Sequence, residues 1–143
     1  MADSNDVESL KSQRRTNEGK QSDIKDDIGD LDDKIKRLRD AYDTIDGQKE
    51  DAKDYKKAIN RLPNAYSDSW KGENADFAYQ SCEKQGGLSD SCQSYIDNVD
   101  DIEEAINDEI TRLKNLRSDK WGILQGLVEA WNNLTNKIRN AVN

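Results

Sequence analysis

The chain has 143 residues, of which 36% are charged and only 33% hydrophobic, with a net charge of −8 and no histidine. That balance cannot fill a thick globular core, which leaves a disordered chain or long helices meeting along a narrow apolar seam. An acidic chain without a basic, aromatic-studded stripe also excludes nucleic acid and an anionic membrane surface as natural partners.

The N-terminal stretch MADSNDVESLKSQRR contains no apolar run of the kind a secretory signal needs. Nowhere does the sequence approach the roughly 18–20 apolar residues of a membrane span. It therefore predicts a protein made in the cytoplasm, for which export would need another route. Val7 and Leu10 begin a helical register that Arg14, Asn17 and Gln21 interrupt, so the start of the first helix is expected to fray.

From there the periodicity is clear. Ile24, Ile28, Leu31, Ile35, Leu38, Tyr42 and Ile45 follow one another in alternating steps of four and three, the a/d pattern of a heptad repeat. Nearly everything between them is charged, so only one stripe can be buried. The pattern loosens through Ala52, Tyr55, Ile59 and Leu62 and then meets Pro63, the only proline. Proline lacks an amide hydrogen and restricts the residue before it, which predicts a first helix over 5–62. Residues 63–74, PNAYSDSWKGEN, read as a turn with aromatics inserted.

A second helical arm is expected over 75–118, with a break near Gly86 and Gly87. Beyond the break the sequence suggests heptads at Leu88, Cys92, Tyr95, Val99, Ile102 and Ile106, with Ser89 as the N-cap. They then shift by one position to Ile110, Leu113 and Leu116, like a stutter. Residues 119–143 form the most apolar segment, with Trp121, Leu124, Leu127, Val128, Trp131, Leu134, Ile138 and Val142, and are expected to make an additional amphipathic helix. No strand alternation is present. The fold class is all-α: a long antiparallel, coiled-coil-like helical hairpin in one domain. A hairpin buries one stripe per helix, so the C-terminal segment must fold onto it or stay open for a partner, and the partner is the preferred reading.

Catalytic parts are missing from the pattern. Without histidine the usual general base and the commonest metal ligand are both absent. Neighbouring carboxylates such as Asp100/Asp101 and Glu103/Glu104 point to different sides of a helix. The acidic run DNVDDIEEAIND lacks the glycine and ligand spacing of a calcium loop, and QGGLSD lacks the lysine of a phosphate loop. The sequence predicts no enzyme, no cofactor and no metal. Cys82 and Cys92 would sit about 15 Å apart on an unbroken helix, too far for a disulfide. Gly86 and Gly87 are able to fold the segment back, which leaves a disulfide open, although reduced thiols are the default without a signal peptide.

Interaction chemistry remains, and here Trp70 is informative. Its indole can cap the end of a helical hairpin, with Gly72 supplying the backbone freedom for the reversal. A Trp-x-Gly turn between heptad helices resembles the WXG-type proteins of type VII secretion, with Trp70, Lys71 and Gly72 at the motif. Within that group WKGENADFAYQSC and YIDNVDDIEEAINDEITRL look most similar to the YwqH-like family, small α-helical proteins associated with LXG-type toxins. The resemblance spans roughly residues 8–118.

It implies a chaperone-like targeting factor that binds the helical N-terminal LXG domain of a toxin, alone or with a second small helical accessory protein. The bundle would be recognised by a membrane-bound secretion ATPase complex and exported. Tyr79 and Glu83 fit the Tyr-x-x-x-Glu form of an export signal, although they lie early in the second arm rather than after it. The expected partner and hairpin interface comprises the stripe from Ile24 to Ile45, then Val99, Ile102, Ile106, Ile110 and Leu113, then Leu124 and Trp131. Two other readings stand beside it: a self-associating WXG-type hairpin, and a plain coiled-coil spacer.

Overall fold

The computed structural model describes residues 4–66 and 87–143, with the backbone alone over 62–66. Two α-helices account for almost all of them: α1, Ser4–Tyr66, and α2, Leu88–Val142. They pack against each other as an all-helical hairpin, with no strand among the described residues.

Each helix presents an unbroken heptad stripe. On α1 it runs Val7, Leu10, Arg14, Asn17, Gln21, Ile24, Ile28, Leu31 and on through Ile35, Leu38, Tyr42, Ile45, Lys49, Ala52, Lys56 and Ile59. The steps alternate three and four throughout, and every one of these residues is buried or half-buried. The run from Ile24 to Ile45 forms the middle of this stripe, which extends a further four positions at its C-terminal end and five at its start. Arg14, Asn17 and Gln21, which seemed to interrupt the register, are members of it. Tyr55 lies outside it, 68% exposed, and Lys56 holds its place.

The corresponding stripe on α2 runs Ser89, Cys92, Ile96, Val99, Glu103, Ile106, Ile110, Leu113 and on through Arg117, Lys120, Leu124, Leu127, Trp131, Leu134, Ile138 and Ala141. It also alternates three and four without a break, so there is no stutter. Glu103, Arg117 and Lys120 occupy seam positions. An apolar neighbour one residue earlier, Ile102 or Leu116, makes the pattern look shifted in sequence. Leu88, Tyr95, Ile102 and Leu116 belong instead to a flank of the helix that the hairpin leaves exposed.

The helix boundaries differ from expectation in three ways. First, α1 passes Pro63, which has no N–H to offer the carbonyl of Ile59, and holds helical geometry for three more residues before ending at Tyr66. Second, α2 starts at Leu88 with the carbonyl of Gly87 accepting from the Ser91 amide at 3.0 Å. Gly87 is thus the residue before the helix, and Ser89 is a buried seam residue rather than a cap. Third, residues 119–143 are not an additional helix. They are the last part of α2, which runs through Gly122 and Gly126 unbroken because a single helical glycine costs only about 1 kcal/mol relative to alanine.

The packing resolves into two compact units, 1–37 with 110–143 and 38–109. In the first, Ile28, Leu31 and Ile35 of α1 supply the buried core together with Ile110, Leu113, Leu124 and Ile138 of α2. Among the described residues Ile35 is the most enclosed side chain, at 2% exposure. Burying a side chain of this size contributes about 1.5–3 kcal/mol. Antiparallel pairing is fixed at its polar edges by Asp32–Arg117 at 2.7 Å and Asp27–Lys120 at 3.2 Å. In the second unit Ala52 meets a core of Ile96 and Val99, with Ser89 and Glu103 also buried. There Lys56 donates to Gln93 Oε1 at 2.6 Å.

Candidate protein-interaction site

Two features of the seam and one of its flank bear on function. In the first unit the α1 residues Arg14, Asn17 and Gln21 face the apolar end of α2. Asn17 is buried and donates from Nδ2 to the carbonyl of Leu127 at 2.9 Å, while Gln21 donates to Asn17 Oδ1 at 2.6 Å. The Arg14 guanidinium donates to Thr135 Oγ1 at 3.3 Å and lies 5.6 Å from the centre of the Trp131 ring. Trp131 in turn donates from Nε1 to Glu18 at 2.9 Å. A buried amide bonded across a helix pair holds only in one register, and this cluster fixes where the two arms meet. Leu124 and Trp131, expected at an interface, are therefore used within the hairpin itself.

The second unit carries an ionic counterpart. Lys49 lies 2.8 Å from Glu103 Oε1, 3.0 Å from Asp100 and 3.3 Å from Asp46. The Glu103 contact is the shortest of the three and joins a buried carboxylate to a half-buried ammonium of opposite charge. Glu103, followed by Asp100 and Asp46, keeps the Lys49 ammonium protonated well above the ordinary lysine range. The Tyr42 hydroxyl donates to Glu103, and that bond raises its own pKa. A buried glutamate on α2 is thus surrounded by a lysine and a tyrosine of α1.

The flank is where the helices part company. Outside its seam α1 is polar at almost every position adjoining it. On α2, Leu88, Tyr95, Ile102, Leu116 and Ile123 recur at multiples of seven residues and expose between 36% and 52% of their surface. On the other side of the seam, Trp121 and Val128 are also exposed, and an open groove of about 620 Å³ runs past them between Ser118 and Gln125. Ile102, placed by sequence at the hairpin interface with Val99, Ile106, Ile110 and Leu113, is the one member of that set outside the seam.

The sequence model of the YwqH-like family matches residues 12–126, most of the chain. The chain belongs to the YwqH-like family. No curated protein and no solved structure matches it.

Several residues singled out in this YwqH-like protein lie outside the described residues: Trp70, Lys71 and Gly72 of the turn, Tyr79 and Glu83 of the export motif, and Cys82. Cys92 is a half-buried free thiol in the seam. Among the described residues, no group of three or more cysteine or carboxylate side chains is placed to hold a metal ion. None of the described helices of this YwqH-like chain is long and apolar enough to cross a membrane. The signal that sequence reading missed is the seven-residue recurrence of Leu88, Tyr95, Ile102, Leu116 and Ile123. In sequence it blends with the seam row one residue away.

Proposed function

We propose that this protein is a non-enzymatic accessory and targeting factor that binds the helical LXG domain of a toxin and accompanies it to a type VII secretion system. The observation that carries this reading is the unequal width of the two apolar stripes. A helix that meets one neighbour needs apolar residues at two heptad positions, whereas a helix inside a bundle needs a third. The first helix has two. The second has three, and the third is uncovered.

A toxin's helical domain is a fitting occupant, because the family is similar to proteins that accompany LXG toxins. The Trp70-Lys71-Gly72 sequence resembles the motif of WXG-type proteins and extends the reading to type VII secretion. Tyr79 and Glu83 are the residues through which a secretion ATPase complex would recognise it, unless a second small helical protein supplies that signal. Self-association is the weaker reading. Two copies docked through the 88–109 stretch would set the exposed Asp101 and Asp108 of each against the same acidic border on the other.

Co-expression with an LXG-domain toxin tests the proposal. A soluble complex is expected to co-purify, and Ile102→Asp with Ile123→Asp should abolish it while helicity and melting stay unchanged. A toxin that purifies without this protein would refute the reading. Light scattering of the isolated protein addresses self-pairing, for which a stable dimer is required.

A further inference from the structure

The exposed flank of the second unit carries more than isolated apolar residues. Leu88, Ser91, Tyr95, Asn98, Ile102 and Ala105 follow one another in steps of three and four, and all six are exposed. This is a second seam on α2, turned about a quarter of the way round the helix from the one that meets α1. It contains no charged residue, whereas Asp101 and Asp108 border it on the outer side. Tyr95 is steadied at its inner edge by a long hydrogen bond to Gln48, 3.5 Å.

Charge indicates what this seam accepts. Between Gly87 and Glu109 the chain has eight carboxylates and not one lysine or arginine. Asp100 and Glu103 are already matched by Lys49 on the α1 side. The negative charge at Asp101 and Asp108 lies on the open side.

We infer that this second seam binds a basic amphipathic helix, apolar at heptad spacing and carrying lysine or arginine on the flank that meets Asp101 and Asp108. The three-and-four spacing matches a helix and not a strand, whose side chains alternate every two residues. The borders then select by charge, attracting a basic flank and opposing an acidic one. A second copy of the chain would present an acidic border and is disfavoured. The inference rests on the reading of α2's flank as the partner site and names the chemistry of the partner there.

Two synthetic three-heptad peptides test it. Both carry leucine and isoleucine on the apolar stripe, one with lysine flanks and the other with glutamate. Binding is followed by fluorescence anisotropy against the whole protein. At low salt the lysine peptide should bind about tenfold more tightly, and most of that preference should vanish at about 0.5 M salt. Asp101→Lys with Asp108→Lys should reverse the preference. Tyr95→Ser with Ile102→Ser keeps every carboxylate and should weaken the lysine peptide at least tenfold, with unchanged circular dichroism. Equal affinity for the two peptides would overturn the inference, as would no binding of either. So would undiminished binding to the Tyr95/Ile102 variant, since that reports charge without the seam. Toxin binding without a peptide preference would remove only this inference. Peptide preference without toxin binding would remove only the toxin reading.

Discussion

The two helices share one seam and differ in what surrounds it. Beside its stripe α1 alternates lysine, aspartate, arginine and glutamine, so its outer surface is satisfied by water. Beside the same kind of stripe α2 adds a third apolar row. A helix that had evolved only to close this hairpin would have no use for that row, because exposed leucine, tyrosine and isoleucine add nothing to a two-helix seam. The difference separates residues that hold the hairpin together from residues available to something else. It also supplies a sharp way to break it.

The largest effect should come from a charge placed in the seam. Ile35→Asp buries an uncompensated carboxylate at the most enclosed position and should cost several kcal/mol, enough to unfold the first unit in a urea titration. Ile102→Asp, on the flank, should stay within about 0.5 kcal/mol of the parent. Equal loss in the two variants would contradict the division between seam and flank. Charge changes across 97–109 should be mild at Asp101, Glu104 and Asp108 but not at Glu103. Buried against Lys49, it belongs with Ile35 in this respect.

Next in size is the Lys49 cluster itself. Lys49→Met leaves the buried Glu103 carboxylate without its cation, and the second unit should lose stability clearly at neutral pH. The pH dependence has a definite sign. The folded-state pKa of Lys49 is raised above its ordinary 10.5 and that of Tyr42 above its ordinary 10.0. The stability they contribute is fully present below about pH 10 and is lost as pH rises through the raised values. Thermal melts of the parent should therefore fall on the alkaline side of pH 10. The Lys49→Met protein should show a shallower fall, and an identical slope would remove Lys49 from the account.

Asn17→Ala should cost less, about 1–2 kcal/mol, because it leaves the Gln21 amide and the Leu127 carbonyl region without their shared partner. Its more telling signature is register. If the Asn17 amide fixes where the arms meet, the variant should slow exchange between the Trp131 environments less well, and the indole resonance should broaden. A single sharp Trp131 signal in the Asn17→Ala protein would make the amide merely one bond among many.

How far the sequence could be read follows from which residues hold the seam. On α1 the run from Ile24 to Ile45 is legible because seven large apolar residues stand among charges. Its extension through Arg14, Asn17 and Gln21 is not, since polar residues join a seam only when a partner answers them, and Trp131, Thr135 and Leu127 are more than a hundred positions away. On α2 the same difficulty produced a false stutter. Glu103, Arg117 and Lys120 look like surface residues until Lys49, Asp32 and Asp27 are placed opposite them. Pro63 reads as a helix stop, yet packing along a long seam outweighs one residue's local preference. The partner-facing row was visible only as a surplus of apolar residues, because its identity depends on knowing which neighbouring row the hairpin had already used.

The smallest effect separates the helices most delicately. Gly29 on α1 and Gly126 on α2 both have open space where a side chain would begin. Alanine at either position should therefore stabilise the isolated protein by about 0.5–1 kcal/mol, through helix propensity and a less flexible unfolded chain. In the free protein the two variants should be indistinguishable by thermal melting. They should part only in the complex. Gly126 lies one turn beyond Ile123, on the side of α2 that carries the exposed row, where an added methyl group meets whatever covers that row. Gly29 lies on the polar outer side of α1 and should leave affinity untouched. If Gly126→Ala also binds the toxin domain at parental affinity, the covering helix does not reach this end of the row, and contact is confined to Leu88, Tyr95 and Ile102.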